Sequence, residues 1–221
     1  MNVRTLFRVA LSALACVILS GCASFPPSQP LMYPYARFAG HSPESLGQVE
    51  NVLRWGDEYR NAAYNAYFDR NDWAGAYWYG EEAKKFYKRV LDELEPNNAY
   101  AAVCMGYIPL MLARGTSNQS VRDLMYGQAF AMFKQADQNR KGYADAHKYM
   151  GELYAMQKQW VKAEGEFSAL VKAGIENAYI HAWWAYVLSR KGNIEGANLH
   201  LQKAVDCAYP EQAATWARRT L

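Results

Sequence analysis

The second half of the chain repeats itself at an offset of 34 residues. His147, Met150, Gly151 and Tyr154 recur as His181, Trp184, Ala185 and Leu188, and Ala163, Phe167 and Leu170 recur as Ala197, Leu201 and Ala204. The turns between them align as well, Lys158-Gln159-Trp160 against Gly192-Asn193-Ile194. A unit of this length cannot bury an apolar face alone, so each copy must stack on its neighbour. Gly or Ala where two helices cross lets the backbones approach, and bulky residues fill the gaps beside them.

Helix formers dominate from Ser42-Pro43-Glu44, which reads as a hydroxyl N-cap, Pro at the first helical position and an acid in the first turn, through to the C-terminus. No run of alternating apolar and polar β-branched residues interrupts them. Breaks fall at Asn71-Asp72, Pro96-Asn97-Asn98, Gly115 to Asn118, Gly142, Gly174 and Gly192-Asn193, the spacing of helical hairpins. Two further copies are degenerate. In one (99–143), Met105-Gly106 opens the pattern and Ala129, Phe133 and Ala136 complete it. There, Gly106 to Ala129 spans 23 residues where Gly151 to Ala163 spans 12, an insertion of eleven. The other (57–98) runs through Tyr64, Tyr67, Trp73 and Ala76, with Gly80 where an aromatic is expected. Residues 43–56 and 211–221 read as caps.

Large, small and aromatic on a first helix, then small and aromatic on a second, resembles the tetratricopeptide repeat (TPR). The resemblance implies an all-α, TPR-like helical-hairpin solenoid of about 3–4 repeats over 43–221, with its best copies at 144–177 and 178–211. It assigns repeat packing to Gly106, Met150, Gly151, Tyr154, Ala163, Phe167, Trp184, Ala185, Ala197, Leu201 and Ala204. First helices of this family line a concave groove. Its groove positions fall here on Tyr100, Val103, Tyr107, Leu110, Met111, Asp145, Lys148, Glu152, Met156, Tyr179, Tyr186 and Arg190. That wall would be rich in Tyr and Met, suited to a peptide or partner helix.

The N-terminus is an address. Arg4 and Arg8 precede an apolar run from Val9 to Leu19, of secretory length and short of the roughly 20 residues that span a bilayer. It ends in Leu19-Ser20-Gly21-Cys22, which resembles the bacterial lipobox. The resemblance implies a signal peptide over 1–21, cleaved so that Cys22 becomes N-terminal and carries diacylglycerol and a fatty acyl chain. Each buried methylene contributes ~0.8 kcal/mol, so two or three chains hold a protein stably. Ala23 stands where Asp would retain an enteric lipoprotein at the inner membrane; the implied location is the outer membrane, facing the periplasm. Residues 22–42, with Pro26, Pro27, Pro30 and Pro34, form a semi-rigid tether.

Reactive constellations are missing from the sequence. Gly-x-Ser-x-Gly, a phosphate loop and His-Glu-x-x-His do not occur. His147 and His181 occupy equivalent packing positions, displaced by a helix diameter of ~10 Å, too far to share a metal. His41 and His200 have no second ligand at suitable spacing. Cys104 and Cys207 lie two copies apart and are expected as buried thiols outside any disulfide. Glu81-Glu82 and Glu93/Glu95 sit a helical turn from Lys84, Lys85, Lys88 and Arg89, the pattern of a solvated face. Without Arg4 and Arg8, 22 basic residues face 21 acidic ones, which leaves no nucleic-acid footprint.

No enzyme, metal or cofactor is expected beyond the acyl groups on Cys22. The expected role is a lipid-anchored periplasmic scaffold or assembly factor of an envelope complex, pilotin-like or serving secretion, pilus or outer-membrane assembly, that binds a protein partner in the groove. The alternative is an accessory lipoprotein of a periplasmic solute transporter with a small ligand. Partner identity and oligomeric state are not encoded.

Overall fold

The computed structural model describes Pro26, residues 43–207 and residues 209–220. The segments expected as signal peptide (1–21) and, Pro26 apart, as lipidated cysteine and tether (22–42) lie outside the described residues. Those described form nine α-helices: α1 (Pro43–Phe68), α2 (Trp73–Arg89), α3 (Ala99–Ala113), α4 (Gln119–Asn139), α5 (Ala144–Met156), α6 (Trp160–Lys172), α7 (Ala178–Arg190), α8 (Ile194–Cys207) and α9 (Glu211–Thr220). A π-helical turn, Val90–Leu94, extends α2. Among the described residues there is no strand. The helices pack as two compact units, one ending at Leu153 and the other starting at Tyr154.

In the first unit α1 pairs with α2 and α3 with α4, and α2 packs on α3. Asparagine and aspartate set the helix starts: Asp72, Asn98 and Asn118 each accept a hydrogen bond from the backbone N–H three residues on. Close helix approach is visible at Gly106, where an added β-carbon would lie 2.6 Å from Cε1 of Phe133. Gly56 plays the same part against Tyr87, 2.7 Å from Cε1.

That second crossing corrects the sequence reading of the first copy. Residues 43–56 are not a separate cap, because α1 runs unbroken for 26 residues. Ala83 and Tyr87 supply a small-then-aromatic pair on the second helix, and Ala76 and Gly80 are buried on it as well. Ala129/Phe133, Ala163/Phe167 and Ala197/Leu201 share that four-residue spacing and are all buried. Lengthened helices hide the first copy from a 34-residue comparison.

In the second unit α6 packs on α7, α7 pairs with α8, and α9 lies against both. Asn177 caps α7 through the N–H of Ile180. The repeat extends to backbone conformation: Lys158 and Gly192, 34 residues apart, both take left-handed φ values, 60° and 82°. Each ends a helix with the turn that Gly accommodates best.

Candidate interaction surface

The expected groove is not open. Tyr100, Val103, Tyr107, Leu110, Met111, Lys148, Glu152, Tyr179 and Tyr186 are all buried. Asp145, Met156 and Arg190 are half-buried. The reason is written into the two helices that carry most of these positions. α3 buries every residue except Met105, and α7 every residue except Trp184 and Arg190. A helix apolar all round is enclosed on all sides and has no wall to offer.

In the first unit these positions build a polar interior. Arg60 Nη1 donates to Asp57 Oδ1 (2.8 Å) and to the hydroxyl of Tyr100 (2.9 Å), and lies 3.4 Å from Cys104 Sγ. The Tyr87 and Tyr100 hydroxyls donate to the same Asp57 oxygen at 2.8 and 2.7 Å. Burial opposes the guanidinium charge, but the facing Tyr87, Tyr100, Cys104 and Asp57 outweigh it and hold Arg60 protonated. Burial likewise pushes the Tyr87 phenol well up. Arg114 Nη2 meets buried Glu152 at 2.5 Å. Lys148 pairs with Asp145 at 2.7 Å and lies over the ring of Tyr149. Removing one partner from such a buried pair leaves an uncompensated charge, which is strongly destabilising.

Tyr107 is different. Its ring tilts against Tyr149 at 5.2 Å, which in turn stacks on Phe133 at 5.7 Å. The Tyr107 hydroxyl is buried without a hydrogen-bond partner. Burial, then Tyr64 and Glu152, drive its pKa well up.

In the second unit Tyr179, Trp183 and Tyr186 form a ring series along α7, with centroids 6.4 and 5.8 Å apart, and Arg190 lies over Tyr186. Of the residues assigned to repeat packing, Gly106, Met150, Gly151, Ala163, Phe167, Ala185, Ala197, Leu201 and Ala204 are buried, whereas Tyr154 and Trp184 are half-buried. Trp184 stacks on His200 with ring centroids 3.9 Å apart.

His200 has a second histidine after all. Its Nδ1 lies 3.0 Å from Nδ1 of His181, and Nε2 of His181 lies 3.2 Å from Glu176 Oε2. With both rings neutral, His181 donates to Glu176 and His200 donates to His181. Burial, then the facing His181 and Lys203, lower His200 to about 4. The equivalent His147 is half-buried and pairs with Asp137 at 3.1 Å. Among the described residues no three His, Cys, Asp or Glu side chains gather to hold a metal. Cys104 is buried and Cys207 half-buried, so the second thiol is less enclosed than expected.

Large apolar side chains stand outside instead. On α4, Leu124 is 63% exposed and Val121 also faces solvent. Gly127, Gln128 and Ala131 continue that exposed face, and nothing lies within 4 Å of a β-carbon built on Gly127. On the α1–α2 hairpin Trp55, Trp73, Tyr77 and Trp78 are exposed. The sequence reading gave these residues no binding role. Their signal was aromatic pairs one turn apart, Trp55/Tyr59 and Trp73/Tyr77; Trp73, expected within the first repeat copy, stands exposed instead. A polar pocket of about 190 Å³ also opens in the first unit, lined by Glu95, Asn97, Asn98, Asn139, Arg140 and Tyr143.

No protein-family model matches the chain, and no curated protein matches it. A solved structure does: TTC0263, a thermophilic TPR protein of Thermus thermophilus, is 17% identical, covers 78% of this chain and 98% of its own, and superposes with a TM-score of 0.54. At that identity the likeness concerns the fold alone, and the fold is TPR-like.

Proposed function

We propose that this chain is a non-catalytic, lipid-anchored interaction scaffold of a bacterial envelope, tied to the outer membrane through acylated Cys22 and holding a protein partner at the periplasmic side. One observation carries the reading: the buried ionisable groups are engaged with one another, while large apolar side chains stand exposed. Asp57, Arg60, Glu152, Arg114, His181 and His200 are engaged with one another inside the units, while Val121 and Leu124 face solvent on α4. The face they share with Gly127, Gln128 and Ala131 is largely apolar and open at Gly127, a fit for an amphipathic partner helix laid alongside as the next layer. The lipobox-like Leu19-Ser20-Gly21-Cys22 supports the anchor.

Purification of the full-length chain from detergent-solubilised membranes tests this. A stoichiometric protein should accompany the wild type and be lost from Leu124→Asp, whose melting temperature stays unchanged. Retention of the partner by that variant removes α4 from the account. A small-solute role has its own observation, the open polar pocket lined by Glu95, Asn97, Asn98 and Arg140. A bound small molecule in a preparation free of other proteins would favour that role.

A further inference from the structure

Three of the chain's seven tryptophans, Trp55, Trp73 and Trp78, are exposed, and all three lie on the α1–α2 hairpin. Trp55 is 50% and Trp78 55% exposed. Behind Trp78 lies a joined ring cluster. Tyr59 stacks on Phe86 at 5.6 Å with an interplanar angle of 17° and meets Trp78 edge-on at 6.2 Å. Tyr79 meets Trp78 at 5.0 Å. Tyr77 stacks on Trp73 at 5.7 Å. A terminal repeat ordinarily turns a polar face to water. This one presents indoles and phenols, with apolar bodies and polar tips, the side chains that favour the boundary between hydrocarbon and water.

The rim of the patch narrows the choice of occupant. Lys84, Lys85, Lys88 and Arg89 each pair with an acid one turn away on the same helix: Glu81, Glu82, Asp92 and Glu93. From Pro43 to Leu94 the hairpin carries ten acidic and seven basic side chains. It therefore has no electrostatic pull toward anionic lipid, and any attraction to a bilayer must come from the rings. Among the described residues no helix is long and apolar enough to cross a membrane. Contact with a bilayer would thus be along its surface.

Position along the chain supplies the occupant. The hairpin is the first described element, and twenty residues (23–42) separate it from Cys22. A Pro-rich tether of that length spans up to about 60 Å where it is polyproline-like, and full extension reaches no more than about 70 Å. Acyl chains on Cys22 would hold the start of this hairpin within a few tens of ångströms of the bilayer. At such range a weak interfacial affinity is met by a millimolar effective concentration.

From these observations we infer that the α1–α2 hairpin lies against the membrane, with Trp55 and Trp78 in the headgroup layer. The inference rests on the acylation of Cys22 proposed above. A second copy of the chain or a protein partner would cover the same rings without a bilayer, and both are outcomes of the test.

The experiment uses full-length protein purified from its native host and mixed at millimolar lipid with vesicles of phosphatidylethanolamine and phosphatidylcholine, with and without brominated acyl chains. Tryptophan fluorescence should be quenched by the brominated lipid, equally at low and high salt. In Trp55→Phe/Trp78→Phe, which should keep the wild-type circular dichroism and melting temperature, most of that quenching should vanish from the remaining fluorescence. The mass of the N-terminal peptide reports acylation separately. Acylated protein that floats with the vesicles but is not quenched, or a variant quenched like wild type, overturns the hairpin proposal and leaves the anchor standing. Absence of the acyl mass removes the anchor, while quenching at millimolar lipid still decides the hairpin. Unquenched protein whose solution mass halves in the variant assigns the rings to a second copy, and unquenched protein that loses a bound protein in the variant assigns them to a partner. Either result overturns the proposal.

Discussion

A β-carbon built on Gly106 would stand 2.6 Å from Cε1 of Phe133 and 3.0 Å from the carbonyl oxygen of Ala129, so α3 and α4 meet with no room for a side chain between them. Gly106→Leu forces the helices apart and should cost ~1–3 kcal/mol or more in urea unfolding. Gly165 in α6 is the contrast, exposed and with nothing within 4 Å of its added β-carbon. Gly165→Ala should stabilise by ~0.5–1 kcal/mol through helix propensity. Equal tolerance at both positions would contradict the crossing.

The two tyrosines of α3 should respond in opposite directions. Tyr100 donates to Asp57 and accepts from Arg60, whereas the buried Tyr107 hydroxyl has no partner. Tyr100→Phe leaves buried charge under-bonded and should destabilise by ~1–3 kcal/mol, while Tyr107→Phe should be neutral or stabilising by up to ~1 kcal/mol. Denaturant midpoints measure both. Matching small losses would return these residues to the surface.

How much of this was legible in the sequence depends on which copy is read. Where α5 to α8 keep a 34-residue period, small and large positions could be matched one to one, and even the left-handed turns at Lys158 and Gly192 align. In the first unit, α1 and α4 are 26 and 21 residues long, and the crossing at Gly56 was missed because the period no longer holds. The groove was misplaced for another reason. Position within a repeat says which way a residue points, not what lies there, and α3 and α7 are buried on nearly every side. Ala99–Ala113 contains no charged residue at all, which was the readable warning. The His181–His200 contact lay hidden because it depends on the rotational phase of two antiparallel helices.

Turn geometry gives a further contrast. Lys158 takes φ 60° where its repeat equivalent Gly192 takes φ 82°. A β-carbon in this region costs ~1 kcal/mol. Lys158→Gly should therefore be neutral or raise stability slightly, and Gly192→Ala should lower it by ~1 kcal/mol. Thermal unfolding of the two variants checks the sign, and a loss from Lys158→Gly alone would contradict the equivalence.

Acid should loosen the second unit. His200 is lowered to about 4, chiefly by burial and then by His181 and Lys203, and His181 is lowered by burial against the opposing pull of Glu176. Between the ordinary histidine value near 6.5 and about 4 the unfolded chain takes up protons that the folded chain refuses. Stability from the neutral pair is thus full above that window and is lost as pH falls through it, by an amount of order 2 kcal/mol. His200→Phe, which keeps a ring against Trp184, should flatten this dependence in urea titrations across pH. An unchanged slope would remove the pair as its source.

The central claim is that this protein makes its contacts from outward faces while its polar chemistry serves the interior. Site-specific photocrosslinking in intact cells tests it most directly, with a photoreactive amino acid at Leu124 in one strain and at Tyr107 in another. The account predicts one discrete protein adduct from position 124 and none beyond the chain itself from position 107. An adduct from 107 with silence at 124 would contradict it.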